Sequence, residues 1–154
     1  MELILWRHAE AVDGEPDLAR KLTPRGKKQA RRAAEWLDRH LPDRTRILVS
    51  PAVRAQQTAA ALAETSHRKL RTVDAIAPDV AARDVLEATG WPDAKFPVLV
   101  VGHQPTLGHI ASLLLAGEIQ DWSIRKGGLW WMTTRERDGN RQVLLRAVVS
   151  PETI

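Results

Sequence analysis

Three short apolar runs, each followed by a polar turn and then a helical stretch, are the feature that most constrains the fold of this 154-residue chain. The runs are Leu3–Trp6, Ile47–Val49 and Val98–Val101. They are continuously apolar and do not alternate, which is typical of parallel strands that are covered by helices on both faces. Strands that alternate with helices in this way predict βαβ units and an α/β fold.

The starts of the predicted helices carry local signals. Thr23–Pro24 has the residue types of an N-cap and a first helical residue, and it predicts a helix that ends near His40. Ser50–Pro51 and Gln104–Pro105 predict similar starts, for a helix over 52–64 and for one that ends at Gly117. The segment 66–97 is predicted to contain a strand over 70–73 and a helix over 79–89.

The last third of the chain predicts an antiparallel hairpin. Residues 128–134 and 142–149 have strand composition, and they flank Asp138–Gly139, which is a strong turn dipeptide. We therefore expect a three-layer α/β/α fold with a mostly parallel sheet and an antiparallel edge hairpin. The whole chain, 1–154, is expected to form one domain without a separate cap domain.

Composition excludes several classes of function. Cysteine is absent, which excludes disulfides, thiolate catalysis and cysteine-ligated metal centres. The formal net charge of +4 is a weak electrostatic footprint for nucleic acid. The first apolar run is too short for an export signal, and no stretch approaches the roughly 20 apolar residues of a membrane helix. We expect a cytoplasmic monomer with no nucleic-acid or membrane partner.

The carboxyl ends of the predicted parallel strands bring together residues that suit a phosphoryl group. Arg7 and His8 follow the first strand, Arg54 lies in the first turn after the second, and His103 and Gln104 follow the third. In an open α/β sheet, ligands bind beyond these strand ends. The guanidinium group of arginine forms paired, charge-assisted hydrogen bonds to phosphoryl oxygens, and a neutral imidazole is a competent nucleophile.

A metal site is the rival interpretation of the histidines, since His109 lies six residues after His103. No acidic ligand is placed beside them by any motif, and Arg7 and Arg54 would repel a cation. We therefore predict neither a metal nor another cofactor.

Four sequence motifs, in order along nearly the whole chain, resemble those of the histidine phosphatase superfamily, which has the phosphoglycerate mutase-like fold. They are Leu5–Ala11 (LWRHAEA), Leu22–Gly26 (LTPRG), Ser50–Ala59 (SPAVRAQQTA) and Val101–Leu107 (VGHQPTL). The short length and the layout after His103 are most similar to the SixA-like phosphohistidine phosphatase branch.

The resemblance implies roles for the residues that match its motifs. His8 would be phosphorylated during turnover, while Arg7, Arg54 and His103 would hold the phosphoryl group, with Gln104 as a further substrate-binding residue. Relatives that cleave phosphate esters carry an acidic residue as general acid in a position that corresponds here to Pro78, with Asp74, Asp79 and Asp84 nearby.

The replacement of the acid by proline favours phosphohistidine on a protein partner as the substrate. An alkoxide leaving group needs a proton donor, whereas an imidazole leaving group can depart as a neutral ring. Two alternatives remain open at this point. One is a broader phosphomonoesterase that acts on small phosphates with a nearby Asp or Glu as acid. The other is a non-catalytic phosphate-binding docking module that uses the basic face between Arg20 and Arg39.

Overall fold

The computed structural model describes residues 1–154 and contains six strands and four helices. In chain order they are β1 (Glu2–Arg7), α1 (Pro24–His40), β2 (Arg46–Val49), α2 (Val53–Ser66), β3 (Leu70–Thr72), α3 (Ala82–Thr89), β4 (Val98–Gly102), α4 (Thr106–Ala116), β5 (Leu129–Arg137) and β6 (Asn140–Val149). The strands form one sheet in the order β3-β2-β4-β1-β5-β6. Strands β1 to β4 pair in parallel, and β5 and β6 are antiparallel. The predicted α/β fold with an antiparallel edge hairpin is confirmed.

Helices cover both faces of the sheet because successive residues of each buried strand point to opposite sides. Ile4 and Trp6 of β1 face one core, which also contains apolar residues of α1 and α2. Leu3 and Leu5 face a second core, on the side of α3 and α4. The continuous apolar runs thus reflect burial on both faces, and the three-layer α/β/α arrangement follows from it.

The helix starts differ from the prediction at three places. Ser50–Pro51 precedes α2, which begins only at Val53 with Ala52 as its N-cap. Helix α4 has Pro105 as its N-cap and begins one residue later than predicted. Helix α3 begins only at Ala82, because Asp79 has a φ of 67° and Ala81 is extended with a ψ of 147°. Only Thr23 caps as predicted, where its side chain accepts a hydrogen bond from the Gly26 N–H.

The connections that follow β1 and β4 leave an opening at the carboxyl edge of the sheet. These strands are neighbours, with Arg7 paired to Gly102. The chain after β1 leads to α1 on one face, while the chain after β4 leads directly to α4 on the other. A crevice forms between neighbouring strands whose connections lead to opposite faces of the sheet, and ligands usually bind there.

Gly26 in the first turn of α1 fixes this helix against the segment that follows His8. A Cβ atom at Gly26 would lie 2.0 Å from the backbone oxygen of Glu10, so the backbones themselves must move apart. We expect Gly26→Ala to lower the free energy of unfolding by about 2–3 kcal/mol, as overpacking commonly does. Chemical denaturation measures this loss. Lys27→Ala, in the same turn but exposed, is the control, and an equal loss in both variants would contradict the steric explanation.

Candidate active site

The four residues Arg7, His8, Arg54 and His103 line one cavity of about 300 Å³ at the carboxyl edge of the sheet. His8 directly follows β1, and its N–H donates to the Gly102 carbonyl at the end of β4. The rings of His8 and His103 therefore come close, with their centroids 5.1 Å apart. The sheet register thus places the two imidazoles side by side.

The hydrogen bonds of His8 define the tautomer of its ring. Nδ1 lies 2.7 Å from the carbonyl oxygen of Ala9. A carbonyl only accepts hydrogen bonds, so Nδ1 carries the proton. Arg54 Nε donates to the other nitrogen, Nε2, at 3.3 Å. The lone pair of His8 is therefore on Nε2, which is the nitrogen available for attack.

Ser50 supports His103, which is a role that the sequence analysis did not assign to it. The Ser50 hydroxyl lies 2.7 Å from His103 Nε2 and also accepts a hydrogen bond from the Ala52 N–H at 3.2 Å. Its own proton is therefore free to be donated to Nε2, which favours the tautomer with a proton on Nδ1. His103 Nδ1 is buried and has no partner within the protein.

Unpartnered buried donors are concentrated in this cavity. Three buried side-chain nitrogen or oxygen atoms of the chain have no hydrogen-bond partner, and two of them are His103 Nδ1 and Arg7 Nε. Arg7 is held by a hydrogen bond from Nη1 to the Ile124 carbonyl, at 2.8 Å. A buried donor without a partner costs about 1–3 kcal/mol, so the pair suits an anion that would accept from both.

Asp17 is a component of the site that sequence reasoning missed. Its backbone oxygen accepts from Arg54 Nη1 at 2.8 Å, and its carboxylate accepts from Nη2 at 3.1 Å. Hydrogen bonds from Arg20 and Arg54 lower the pKa of Asp17, so this carboxylate is ionised at neutral pH. Asp17 orients the Arg54 guanidinium and is not a source of protons.

Pro78 and Asp79 are among the residues that line the cavity. Pro78 is thus at the site, as the motif comparison predicted. Asp13 also lines the cavity; both it and Asp79 are exposed and neither forms a hydrogen bond, although Asp13 lies 3.9 Å from Arg20 in a loose ion pair. Asp74 and Asp84 are not among the lining residues. No carboxyl group is fixed in position as a proton donor.

Gln104 also lines the cavity, but both ends of its amide are engaged by backbone. Its oxygen accepts from the Gly108 N–H and its nitrogen donates to the Trp122 carbonyl, each at 2.9 Å. The side chain therefore joins the start of α4 to the segment before β5. This arrangement shapes the loop that carries His103.

The histidine that the metal hypothesis included, His109, is bonded elsewhere. Its Nε2 lies 2.9 Å from the carboxylate of Asp121. No group of three or more His, Cys, Asp or Glu side chains is arranged to hold a metal ion. None of the helices combines the length and apolar character needed to span a membrane.

Burial keeps both site histidines neutral. Burial, together with the nearby Arg54 and Arg7, lowers the pKa of His8 to about 4. Burial first, and then His8 and Arg54, lower the pKa of His103 to about 3. Both imidazoles are thus uncharged at neutral pH, and His8, whose Nε2 is unprotonated, is a nucleophile without prior deprotonation.

These pKa shifts predict a loss of stability in acid. In the unfolded chain each histidine takes up a proton near pH 6.5, whereas folded His8 stays neutral down to about pH 4. The unfolded state therefore binds more protons between these values, and stability falls as the pH falls. Between pH 7 and pH 5, we expect the free energy of unfolding to fall by about 2 kcal/mol less in the His8→Gln variant than in the wild type. Urea denaturation at both pH values measures this difference. Equal losses of unfolding free energy in the wild type and in His8→Gln would contradict the prediction.

Known proteins of one superfamily match this chain. The model for the histidine phosphatase superfamily (branch 1) matches residues 3–77. The phosphohistidine phosphatase SixA homolog of Haemophilus influenzae is 33% identical, over 98% of this chain and 97% of that protein. Phosphohistidine phosphatase SixA of Escherichia coli is 28% identical, over 77% of this chain and 76% of that protein. A solved structure of the protein histidine phosphatase SixA complexed with tungstate has a TM-score of 0.78 at 25% identity, over 98% of this chain and 97% of that one.

The chain shares its α/β/α fold with a solved histidine phosphatase, and it places two histidines and two arginines at the ends of neighbouring strands. The chain belongs to the histidine phosphatase superfamily. Within that superfamily it belongs to the SixA-like branch. It is therefore a phosphatase, and this excludes the alternative of a purely phosphate-binding docking module.

Proposed function

We propose that this phosphatase hydrolyses phosphohistidine on a protein partner through a phosphohistidine intermediate on His8. The observation that carries the choice of substrate is the lack of a carboxyl group held ready to donate a proton. The one carboxylate that is bonded to a site residue, Asp17, is ionised and tied to Arg54. The names of the relatives in Haemophilus influenzae and Escherichia coli support the same substrate class.

In the first step His8 Nε2 attacks the phosphorus atom in line with the bond to the substrate histidine. The new bond joins Nε2 to phosphorus, and the bond from phosphorus to the substrate nitrogen breaks. The substrate imidazole carries a proton on its other nitrogen, so it leaves as a neutral ring. Arg54 Nε, which donates to Nε2 in the free site, is placed to donate instead to a phosphoryl oxygen.

In the second step the oxygen of water bonds to the phosphorus of phospho-His8, the bond to Nε2 breaks, and the water protons leave with the released dihydrogen phosphate. The proton on His8 Nδ1, held by the Ala9 carbonyl, makes His8 a neutral leaving group as well. Both leaving groups are therefore imidazoles, and neither step needs an external acid. Arg7 Nε and His103 Nδ1, the unpartnered donors, stabilise the phosphoryl oxygens in both transition states. Gln104 shapes the loop and is left out of this set, because its amide is already bonded at both ends.

A comparison of three substrates tests the proposal. A phosphohistidine peptide, an aryl phosphate and an alkyl phosphate differ in how much their leaving groups need a proton. A general acid is commonly worth about 10²–10⁴-fold, so we expect kcat/KM on the peptide to exceed that on the alkyl phosphate by at least about 100-fold. Comparable kcat/KM values for the peptide and the alkyl phosphate would show a broader phosphomonoesterase.

The same assay identifies the acid if one operates. Asp79→Asn removes the carboxyl group closest in sequence to Pro78 on the cavity wall, and Asp84→Asn is the control outside the cavity. We expect neither substitution to reduce hydrolysis of the phosphohistidine peptide more than about threefold, well short of the effect of a general acid. Selective loss of alkyl phosphate hydrolysis in Asp79→Asn would assign Asp79 as the acid of a phosphomonoesterase.

A further inference from the structure

A basic groove of about 540 Å³ lies beside the catalytic cavity, between the first half of α1 and the residues that follow β6. We call it the basic groove, and it is defined by four basic and two acidic side chains. These are Arg25, Lys28, Arg31, Arg32, Glu35 and Glu152. No role in the phosphatase reaction accounts for this concentration of positive charge.

Gly127 separates the basic groove from the nucleophile. On one side, the Gly127 N–H donates to the backbone oxygen of His8 at 3.1 Å. On the other, a Cβ atom at Gly127 would lie 3.1 Å from side-chain carbons of both Gln29 and Pro151, which line the groove. One glycine therefore contacts both the groove and the residue that carries out the attack. The basic groove and the backbone of His8 therefore lie on either side of one buried residue.

The positive charge continues from the cavity into the groove. Lys126 lines the catalytic cavity, and it is exposed together with Arg125. The pKa of Glu152 is lowered by hydrogen bonds, chiefly from the Ser150 hydroxyl, and in addition by the charges of Arg125 and Arg25. Arg125, which precedes Lys126, and Arg25, which lines the groove, thus both act on the carboxylate of Glu152.

The basic side chains at the groove are available to a partner. Arg25, Lys28 and Arg31 are exposed, and none of them forms an ion pair within the chain. Arg32 donates only to the backbone oxygen of Pro151, at 3.4 Å. Guanidinium groups in such a cluster bind carboxylates through paired hydrogen bonds.

We propose that the basic groove docks acidic side chains that lie near the phosphohistidine of the partner protein. This inference rests on the proposed function, because it assumes a protein substrate at His8. An acidic protein fits better than a nucleic acid for two reasons. No aromatic side chain lines the groove to stack on bases. Glu35 and Glu152 also interrupt the positive charge of the groove, which disfavours an evenly charged phosphate backbone more than a peptide whose carboxylates are separate.

Charge reversal in the groove tests the docking. The test variant is Arg25→Glu/Lys28→Glu, and the control is Lys69→Glu/Arg137→Glu, which makes the same change in net charge. Lys69 precedes β3 and Arg137 ends β5, so both lie at the opposite edge of the sheet from the cavity. The probes are two synthetic phosphohistidine peptides of about 15 residues, a length that can extend over about 20 Å on each side. One has Asp and Glu around the phosphohistidine, and the other has Asn and Gln there.

We expect the groove variant to lower kcat/KM on the acidic peptide by about 10-fold or more at low salt, within the range of electrostatic steering. Added salt should reduce this difference, because it screens exposed charges. On the Asn/Gln peptide, the kcat/KM values of the wild type and the two double variants should agree within about twofold. The same should hold on free phosphohistidine, since neither substrate presents side-chain carboxylates to the groove.

Three results would overturn the docking. The first is an equal effect of the two double variants, which would reflect net charge alone. The second is no preference of the wild type for the acidic peptide. The third is a DNA duplex that binds the wild type but not the groove variant, and that inhibits cleavage more strongly than the unphosphorylated acidic peptide. Failure of the proposed function is a separate result, because the wild type would then hydrolyse neither peptide nor free phosphohistidine.

Discussion

The His8→Ala variant is expected to lose turnover by at least about 10⁴-fold, which is the scale of the loss when an enzyme nucleophile is removed. His8 is the residue whose Nε2 carries the free lone pair, and no second imidazole in the cavity is equivalent. His103 Nε2 is bonded to Ser50, and its Nδ1 is buried as a donor in the favoured tautomer. Removal of the His8 ring therefore removes the only group that can accept the phosphoryl group.

The binding of phosphate should survive this substitution in weakened form. Arg7 is held by the Ile124 carbonyl and Arg54 by Asp17, and neither contact depends on the His8 side chain. We expect isothermal titration to detect phosphate binding to His8→Ala although hydrolysis of the phosphohistidine peptide is lost. A variant that binds phosphate but does not hydrolyse the substrate separates the role of the nucleophile from that of the groups that bind the phosphoryl oxygens.

Rapid-quench labelling with a radioactive phosphoryl donor identifies the intermediate directly. The wild type should yield protein-bound phosphate that is labile in acid and stable in base, which is the behaviour of phosphohistidine. The His8→Ala protein should yield none. His109→Gln is the matched control, since this histidine is paired with Asp121 outside the cavity. Turnover by His8→Ala within tenfold of the wild type would contradict the assignment of His8.

The sheet and the convergence of the site could be predicted because both depend on local patterns. Apolar runs such as Val98–Val101 are buried on both faces, and a strand with that pattern has one way to pack. The carboxyl ends of such strands meet at one edge, so the motifs after β1, β2 and β4 had to come together. The sequence could therefore place Arg7, His8, Arg54 and His103 in one cavity.

The partners of those four residues could not be predicted, because they depend on long-range geometry. Asp17 lies in an exposed segment without apolar periodicity, and its contact with Arg54 spans 37 positions. Ser50 has the residue type of an N-cap, and that local signal concealed its contact with His103, 53 positions away. The tautomer of His8 depends on where the Ala9 carbonyl points, which is a detail of backbone conformation that residue types do not encode.

Substitution of Arg54 by lysine is expected to lower kcat/KM on phosphohistidine by about 10²–10³-fold, although the positive charge is kept. The Arg54 side chain is 5% exposed and uses three separate nitrogen atoms. Nε donates to His8 Nε2, while Nη1 and Nη2 donate to the backbone oxygen and the carboxylate of Asp17. A lysine ammonium is a single point of charge and cannot reach His8 and Asp17 in the same geometry.

The effect of Arg54→Lys should fall on the transition state more than on folding. Asp17 is half exposed, so its carboxylate can accept hydrogen bonds from water when the Arg54 guanidinium is lost. The transition state needs a donor in a fixed place beside the phosphoryl oxygens, and a misplaced donor there lowers the rate of catalysis. We therefore expect kcat to fall much more than KM rises, as measured by steady-state hydrolysis of the phosphohistidine peptide.

Arg68→Lys is the matched control for the loss of a guanidinium fork. Arg68 also donates from two nitrogen atoms to backbone oxygens, those of Pro42 and Leu41, at 2.8 and 3.1 Å, but it lies outside the catalytic cavity. Its substitution should change thermal stability while kcat stays within about twofold of the wild type, because surface substitutions away from a site act on folding and not on the barrier. Equal kcat losses in Arg54→Lys and Arg68→Lys would show a general structural effect. A loss of kcat in Arg54→Lys alone would show that the guanidinium group of Arg54 takes part in phosphoryl transfer.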